Sequence, residues 1–414
     1  MAQPSVAIIG AGQAGLQVAV SLREQHYEGR IALIGDEPHV PYARPPLSKA
    51  YLLGEAGDLA LRPQTYFAQH RIDLIAGKRA VAIDRTRRMV GLDDESVIEY
   101  DHLVLATGAR NRSLPIPGVE LGNVFLLRTL DEAALLRERM AAAKNVVVIG
   151  AGFIGLEFAA TATKLGANVT VLDVADRPMA RALSKTMSAV FTREHEKTGV
   201  RLMFNTQAMR LLGEQCVTAV ETVDGKILPA DLVLIGIGVI PNVEVAATCN
   251  LTVENGIVVD EFLQTSDPHI SSIGDVAAFS NRHLGGGRVR LESVQNASDQ
   301  ARCVAARIMG QPDAYDAVPW FWSTQGSLKL QMAGLPSSGC EEVVRGDPNA
   351  SKCSVFLFRD GKLACVETHN RPADHMLARR LLAERAALTP DQAADPTFDL
   401  KSLLPRPAAR VAAA

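Results

Sequence analysis

A strand, a glycine turn and a helix occur twice in this chain, and that repeat limits what it can fold into more than any other feature. The first copy runs from Ser5-Val-Ala-Ile-Ile-Gly10, a short buried-strand pattern, through Gly10-Ala-Gly12-Gln-Ala-Gly15 into the helical Leu16-Gln-Val-Ala-Val-Ser-Leu22. The second runs from Asn145-Val-Val-Val-Ile149 through Gly150-Ala-Gly152-Phe-Ile-Gly155 into Leu156-Glu-Phe-Ala-Ala160. Gly10 and Gly150 stand 140 positions apart. Each helix is followed by a further strand ending on an acid: Ile31-Ala-Leu-Ile34 leads to Asp36, and Asn168-Val-Thr-Val-Leu172 to Asp173. Those acids lie 21 and 18 positions beyond the third glycine, bracketing the spacing of about 20 that a dinucleotide fingerprint requires. Each copy also carries a later strand, Leu103-Val-Leu-Ala-Thr-Gly108 or Leu232-Val-Leu-Ile-Gly-Ile-Gly238.

The residue types follow from the chemistry. The first glycine makes the tight turn, the second lets backbone approach a pyrophosphate, and the third lets helix and strand pack closely. The helix N-terminus then turns free N–H groups and the positive end of its dipole toward the phosphates. The acid accepts from ribose hydroxyls. Two such sites in one chain imply a relay, in which a nicotinamide gives up a hydride and a flavin accepts it. The spacing does not say which copy holds which cofactor.

Composition closes other routes. The net charge of −3 gives no electrostatic case for nucleic acid. No apolar run reaches the roughly 18 residues of a membrane span. The start of the chain shows no signal-peptide pattern. The six cysteines lie at least 12 residues apart with no Cys-x-x-Cys, which fits reduced thiols in the cytoplasm and neither a disulfide framework nor a metal site.

Several stretches carry a resemblance: Pro41-Tyr-Ala-Arg-Pro-Pro-Leu-Ser-Lys49, Ala106-Thr-Gly-Ala-Arg110, Leu127-Arg-Thr129, Gly152-Phe-Ile-Gly-Leu-Glu157, Ile273-Gly-Asp275, Glu292-Ser-Val294 and Trp320-Phe-Trp-Ser323. Over nearly its whole length the chain resembles the FAD-dependent NADH:ferredoxin reductases that serve bacterial cytochrome P450 and ring-hydroxylating oxygenase systems. The resemblance implies an α/β, glutathione-reductase-like fold. Two Rossmann-type dinucleotide-binding domains are expected, FAD in 1–110 and 246–318 and NAD(H) in 111–245. A smaller α+β C-terminal domain would span 319–404, with a flexible tail at 405–414. Gly10, Gly12, Ala14, Gly15 and Asp36 would hold the ADP half of FAD. Arg44, Val81, Thr107, Gly108, Arg128, Asp275, Val294 and Trp322 are carried over as further FAD contacts. Gly150, Gly152, Ile154, Gly155, Glu157, Asp173 and Gly238 would bind NAD(H).

Lys49 is the residue expected to carry chemistry: reduced flavin is anionic, and a fixed ammonium beside it is stabilising. By resemblance Glu157 pairs with it, a gross attraction of roughly 4 kcal/mol at 4 Å and an effective dielectric of about 20. Without the resemblance, such a lysine reads as a solvated helix residue. Arg128 precedes Thr129-Leu-Asp-Glu132, a capping-box pattern opening a helix through about Met140. A domain-crossing salt bridge is the other reading of Arg128. Asp173 favours NADH, because a carboxylate repels the 2′-phosphate of NADPH, while Arg177 and Arg181 soften that choice. The stretch from Asp36 to Leu61 holds no cysteine, so electrons have no redox disulfide there to leave by. The expected acceptor is an acidic [2Fe–2S] ferredoxin docked on basic residues, with Arg302, Arg307, Arg379 and Arg380 as candidates. A reductase of small acceptors (monodehydroascorbate or quinones) and a redox flavoprotein of the apoptosis-inducing-factor type are the alternatives.

Overall fold

Apolar runs such as Val6–Ile9 and Val146–Ile149 are buried at every position, the pattern of parallel strands covered on both faces. The computed structural model describes residues 4–284, 287–337 and 339–405. Its helices include α1 (Gln13–Glu24), α2 (Gln64–Gln69), α3 (Leu130–Met140), α4 (Phe153–Lys164), α5 (Lys185–Lys197), α6 (Glu244–Thr248), α7 (Val294–Ile308) and α8 (Pro372–Ala383). No helix among the described residues is long and apolar enough to cross a membrane. Residues 406–414 of the expected tail lie outside the described residues.

The strands of the first copy form an all-parallel sheet in the order Ile270–Ser272, His102–Leu105, Val6–Ile9, Ile31–Gly35, Ile72–Ala76. Those of the second form another, in the order Arg201–Met203, Asn168–Leu172, Asn145–Ile149, Leu232–Ile235, Val124–Phe125. The chain passes between the two sheets twice, and both crossings meet in one antiparallel ribbon of Ala109–Asn111 with Val239–Pro241. Thr107 and Asn242 fasten its root. The Thr107 hydroxyl donates to the Asn242 carbonyl at 2.7 Å, and the Asn242 side-chain amide donates back to the Thr107 carbonyl at 2.9 Å.

An antiparallel sheet of Trp320–Gln325, Leu328–Gly334, Lys362–His369, Cys353–Arg359 and Glu341–Gly346 follows. Its central strands are buried on both faces, and their period-two alternation divides the side chains between two cores. Phe356, Phe358 and Val366 pack under α8, whereas Val355, Leu357 and Leu330 join a core shared with α4 and α5. That shared core also takes Tyr42 and Leu47 from the first lobe. The expected two-Rossmann α/β fold with a smaller C-terminal sheet is what forms.

Candidate active site

The two glycine turns are built alike. Gly10 has φ +110° and Gly150 φ +113°, and a Cβ there would meet the Ala106 oxygen at 2.1 Å or the Gly236 oxygen at 2.4 Å. At Gly15 and Gly155 a Cβ would meet the first glycine's own carbonyl at 2.0 and 2.1 Å. Both third glycines are therefore packing requirements. At Gly12 a Cβ would find nothing within 4 Å: the space in front of that backbone is open.

That space belongs to a cavity of about 600 Å³. Of the expected FAD residues, Gly10, Gly12, Ala14, Asp36, Arg44, Lys49, Thr107, Gly108, Arg128, Asp275, Val294 and Trp322 line it, joined from the second copy by Ile154 and Glu157. The first residues of α1 and α7 line it too, so two helix N-termini turn their positive ends inward. Ser293 caps α7, its hydroxyl accepting from the Asn296 N–H at 3.1 Å. No cysteine lines the cavity among the described residues.

Lys49 follows a single 3-10 turn, Pro45–Ser48, whose two prolines preset φ. The turn delivers Ser48 and Lys49 together to the start of α4. There Glu157, 3 % exposed, accepts from Lys49 Nζ and from Ser48 Oγ at 2.6 Å each on Oε2, and from Ser323 Oγ at 2.7 Å on Oε1. A buried carboxylate must be paired and hydrogen-bonded, and this one is.

Arg44, Arg128 and Asp275 form a second chain along the wall. Arg44 is ion-paired to Glu37 and donates to the Arg128 carbonyl at 2.7 Å. The Arg128 guanidinium in turn contacts Asp275 at 3.0 Å. Tyr42 donates to Glu37 at 2.6 Å and accepts from the Leu130 N–H at 2.9 Å. Burial pushes its phenol upward. The capping box is present as read: the Thr129 hydroxyl accepts from the Glu132 N–H at 3.2 Å, and the Glu132 carboxylate accepts from the Thr129 N–H at 2.9 Å. The helix it opens runs Leu130–Met140. Glu37, Tyr42, Ser48 and Ser323 escaped the sequence reading, although the Pro-Tyr-x-Arg-Pro-Pro-Leu-Ser-Lys segment contains two of them.

Trp322 stacks toward Trp320 with ring centroids 5.5 Å apart, and Arg379 lies 4.5 Å over the Trp320 ring. An aromatic path thus runs from the cavity wall to α8. His375 beside it is buried, which lowers its pKa to about 4.

The structure does not bring every expected residue here. Val81 is 51 % exposed on the strand Ala80–Asp84 and forms no part of the cavity wall: the register slips between Ala80 and Ala82, which leaves Val81 as the extra, unpaired residue of a bulge. Gly15, Gly150, Gly152, Gly155, Asp173 and Gly238 lie outside the wall, the two third glycines because each packs against the first glycine's carbonyl. Both Asp173 oxygens accept from backbone, Oδ2 from Ala151 N–H at 2.6 Å and Oδ1 from Ala175 N–H at 2.8 Å. Arg307 is a correction to the docking set: its guanidinium is bound to Ser271 and, at 3.2 Å, to His102, and burial lowers its pKa. Arg302 is exposed but paired with Asp299 at 2.7 Å. Arg379 is half-buried and Arg380 exposed.

Residues 4–301 match the family model described as pyridine nucleotide-disulphide oxidoreductase, and residues 320–404 match one described as reductase C-terminal. The chain is 53 % identical over 405 residues to rhodocoxin reductase of Rhodococcus erythropolis, covering 97 % of this chain and 95 % of that one. The crystal structure of the ferredoxin reductase for the CYP199A2 system from Rhodopseudomonas palustris is similar at TM-score 0.94 and 51 % identity, over 97 % of this chain and 100 % of the other. The covalent putidaredoxin reductase–putidaredoxin complex matches at TM-score 0.94 and 41 % identity, over 97 % and 98 %.

Proposed function

This chain belongs to the pyridine nucleotide-disulphide oxidoreductase family, and on that premise we propose that it is an FAD-dependent NADH:ferredoxin reductase delivering electrons to a [2Fe–2S] ferredoxin of a cytochrome P450 or ring-hydroxylating oxygenase system. The observation that carries this reading is the ion pair of half-buried Lys49 with buried Glu157, set where the glycine-turn cavity meets the second lobe, in a wall that has no cysteine among the described residues.

The residues fit a flavin dinucleotide. Open space at Gly12, two inward helix N-termini and one ammonium suit a group with a pyrophosphate and a ring that becomes anionic. When bound, FAD would supply a carrier that accepts hydride from NADH and releases electrons singly. Gly12 and the N–H groups opening α1 would hold its pyrophosphate, Asp36 its ribose, Arg128 and Asp275 the middle of the chain. Lys49 would supply positive charge to the ring, and Glu157 keeps that ammonium oriented. Trp322 closes one side of the cavity. Ile154 and Glu157 form the edge that a nicotinamide would approach, with Gly150, Gly152, Asp173 and Gly238 along its outer path. Arg379 over Trp320 and the exposed Arg380 beside it on α8 present positive charge for an acidic partner.

Domain limits of 1–110 with 246–318, 111–245 and 319–404 are part of the proposal, as is a cytoplasmic location, which all six cysteines being free supports. The relatives are ferredoxin reductases, which favours this reading over a small-acceptor reductase or a non-catalytic redox flavoprotein. The test pairs the purified protein with a candidate ferredoxin, NADH and cytochrome c. A rate that depends on ferredoxin is expected, and one unaffected by it would overturn the assignment.

A further inference from the structure

Beyond Lys49 and Glu157, a line of buried polar side chains continues away from the cavity. Strand alternation puts Phe321, Ser323 and Gln325 on one face of Trp320–Gln325, and Phe321 packs on Phe153 of α4 at 4.5 Å between ring centroids. Ser323 and Gln325 on that face, and His195 of α5, are each 1 % exposed. Ser323 Oγ lies 2.7 Å from Glu157 Oε1, Gln325 Nε2 lies 3.2 Å from Ser323 Oγ, and His195 Nε2 lies 2.6 Å from Gln325 Oε1.

The direction of every proton follows by elimination. A carboxylate only accepts, so the Ser323 hydroxyl must donate to it. Its oxygen is then left to accept, and the neighbour able to donate is the Gln325 amide nitrogen. That orientation turns Gln325 Oε1 toward His195, whose Nε2 must carry hydrogen. Burial also lowers the pKa of His195, which agrees with a neutral ring. All donors therefore point toward Glu157, across residues from three parts of the chain.

We propose that Ser323 and Gln325 are positioning residues of the reductase, locked by His195. By occupying Oε1 of Glu157, they leave Oε2 facing Ser48 and Lys49, and so fix where the Lys49 ammonium stands. The proposal rests on the reading of Lys49 as the charge beside the flavin. One donor to a buried carboxylate is removed in Ser323→Ala. In the holoenzyme the saturating rate of flavin reduction by NADH should then fall about tenfold. FAD content and the NADH concentration at half-saturation should stay unchanged. Ser323→Thr keeps the hydroxyl and restores the rate, and Gln325→Leu gives a smaller loss in the same sense.

A second readout needs no turnover. Nitrogen NMR of wild-type protein should show His195 protonated on Nε2 and bare on Nδ1, with a signal that moves in Ser323→Ala. A wild-type rate in Ser323→Ala, an equal loss in the Ala and Thr variants, or a bare His195 Nε2 would overturn the proposal. A wild-type rate in Lys49→Met with the His195 signal as described would remove the functional reading itself, and the two failures are thereby told apart.

Discussion

In the first lobe the glycine turn is roofed. The loop Ile273-Gly274-Asp275 returns over it, so close that a Cβ on Gly274 would meet Ala14 at 3.1 Å, and α7 packs along α1. In the second lobe the position of Ala14 is taken by Ile154, which is 44 % exposed. The acids differ in the same sense. Asp36 lines the cavity with no side-chain hydrogen bond among the described residues, whereas Asp173 is held by Ala151 and Ala175. One backbone device thus serves two ends. Covered, it suits a cofactor that stays; uncovered, it suits a dinucleotide that comes and goes, and the covering segments decide which.

The comparison breaks first at the glycines. Gly10→Ala forces a Cβ onto the Ala106 carbonyl at a positive φ, so a loss of about 3 kcal/mol or more is expected, with little FAD recovered. Gly150→Ala should instead keep FAD while NADH no longer reduces it. Bound FAD and thermal melting measured on both variants check this, and equal FAD loss in the two would erase the distinction between the lobes. Next in size is Lys49→Met, where FAD stays bound but stopped-flow reduction by NADH slows on the order of a hundredfold.

A smaller effect concerns the uncovered turn. The Asp173 charge should favour NADH over NADPH by about tenfold in kcat/KM, and equal values would contradict it. Arg379→Glu, away from both turns, should raise KM for ferredoxin severalfold and leave ferricyanide reduction intact.

The smallest effect tests what ties the C-terminal sheet to the second lobe. Glu367 accepts from the Ser184 N–H at 2.9 Å and from its hydroxyl at the start of α5. Burial, opposed by those bonds, pushes its carboxyl up from 4.5 to about 7. The folded state thus binds this proton more tightly than the unfolded chain. The contribution of Glu367 therefore declines as pH rises from the unfolded value through about 7. Glu367→Gln should flatten that part of the melting-temperature profile, and an unchanged profile would exclude the group.

What was legible in the sequence is what spacing encodes locally. Both glycine turns, the acids that follow them and the Thr129–Glu132 box could be read because each is set within a few dozen residues, whereas the Pro-Pro-Leu-Ser-Lys segment stood out only by resemblance and its 3-10 turn was not foreseen. Ser323, Gln325 and His195 could not: Ser323 meets Glu157 across 166 positions and His195 meets Gln325 across 130, and no periodicity links such distant groups. Exposure was equally hidden. Arg307 reads as a surface charge on a helix until Ser271 and His102, brought alongside by the first sheet, bind it. Val81 reads as a cavity residue until a bulge beside Ala82 leaves it unpaired and exposed.

The most direct test of the whole account is an anaerobic titration of the freshly purified protein with NADH, followed by its visible spectrum. The account predicts a yellow protein carrying one FAD per chain, bleached by NADH and restored to its colour by oxidised ferredoxin. A colourless protein that takes up no FAD when supplied with it would contradict the account at its root.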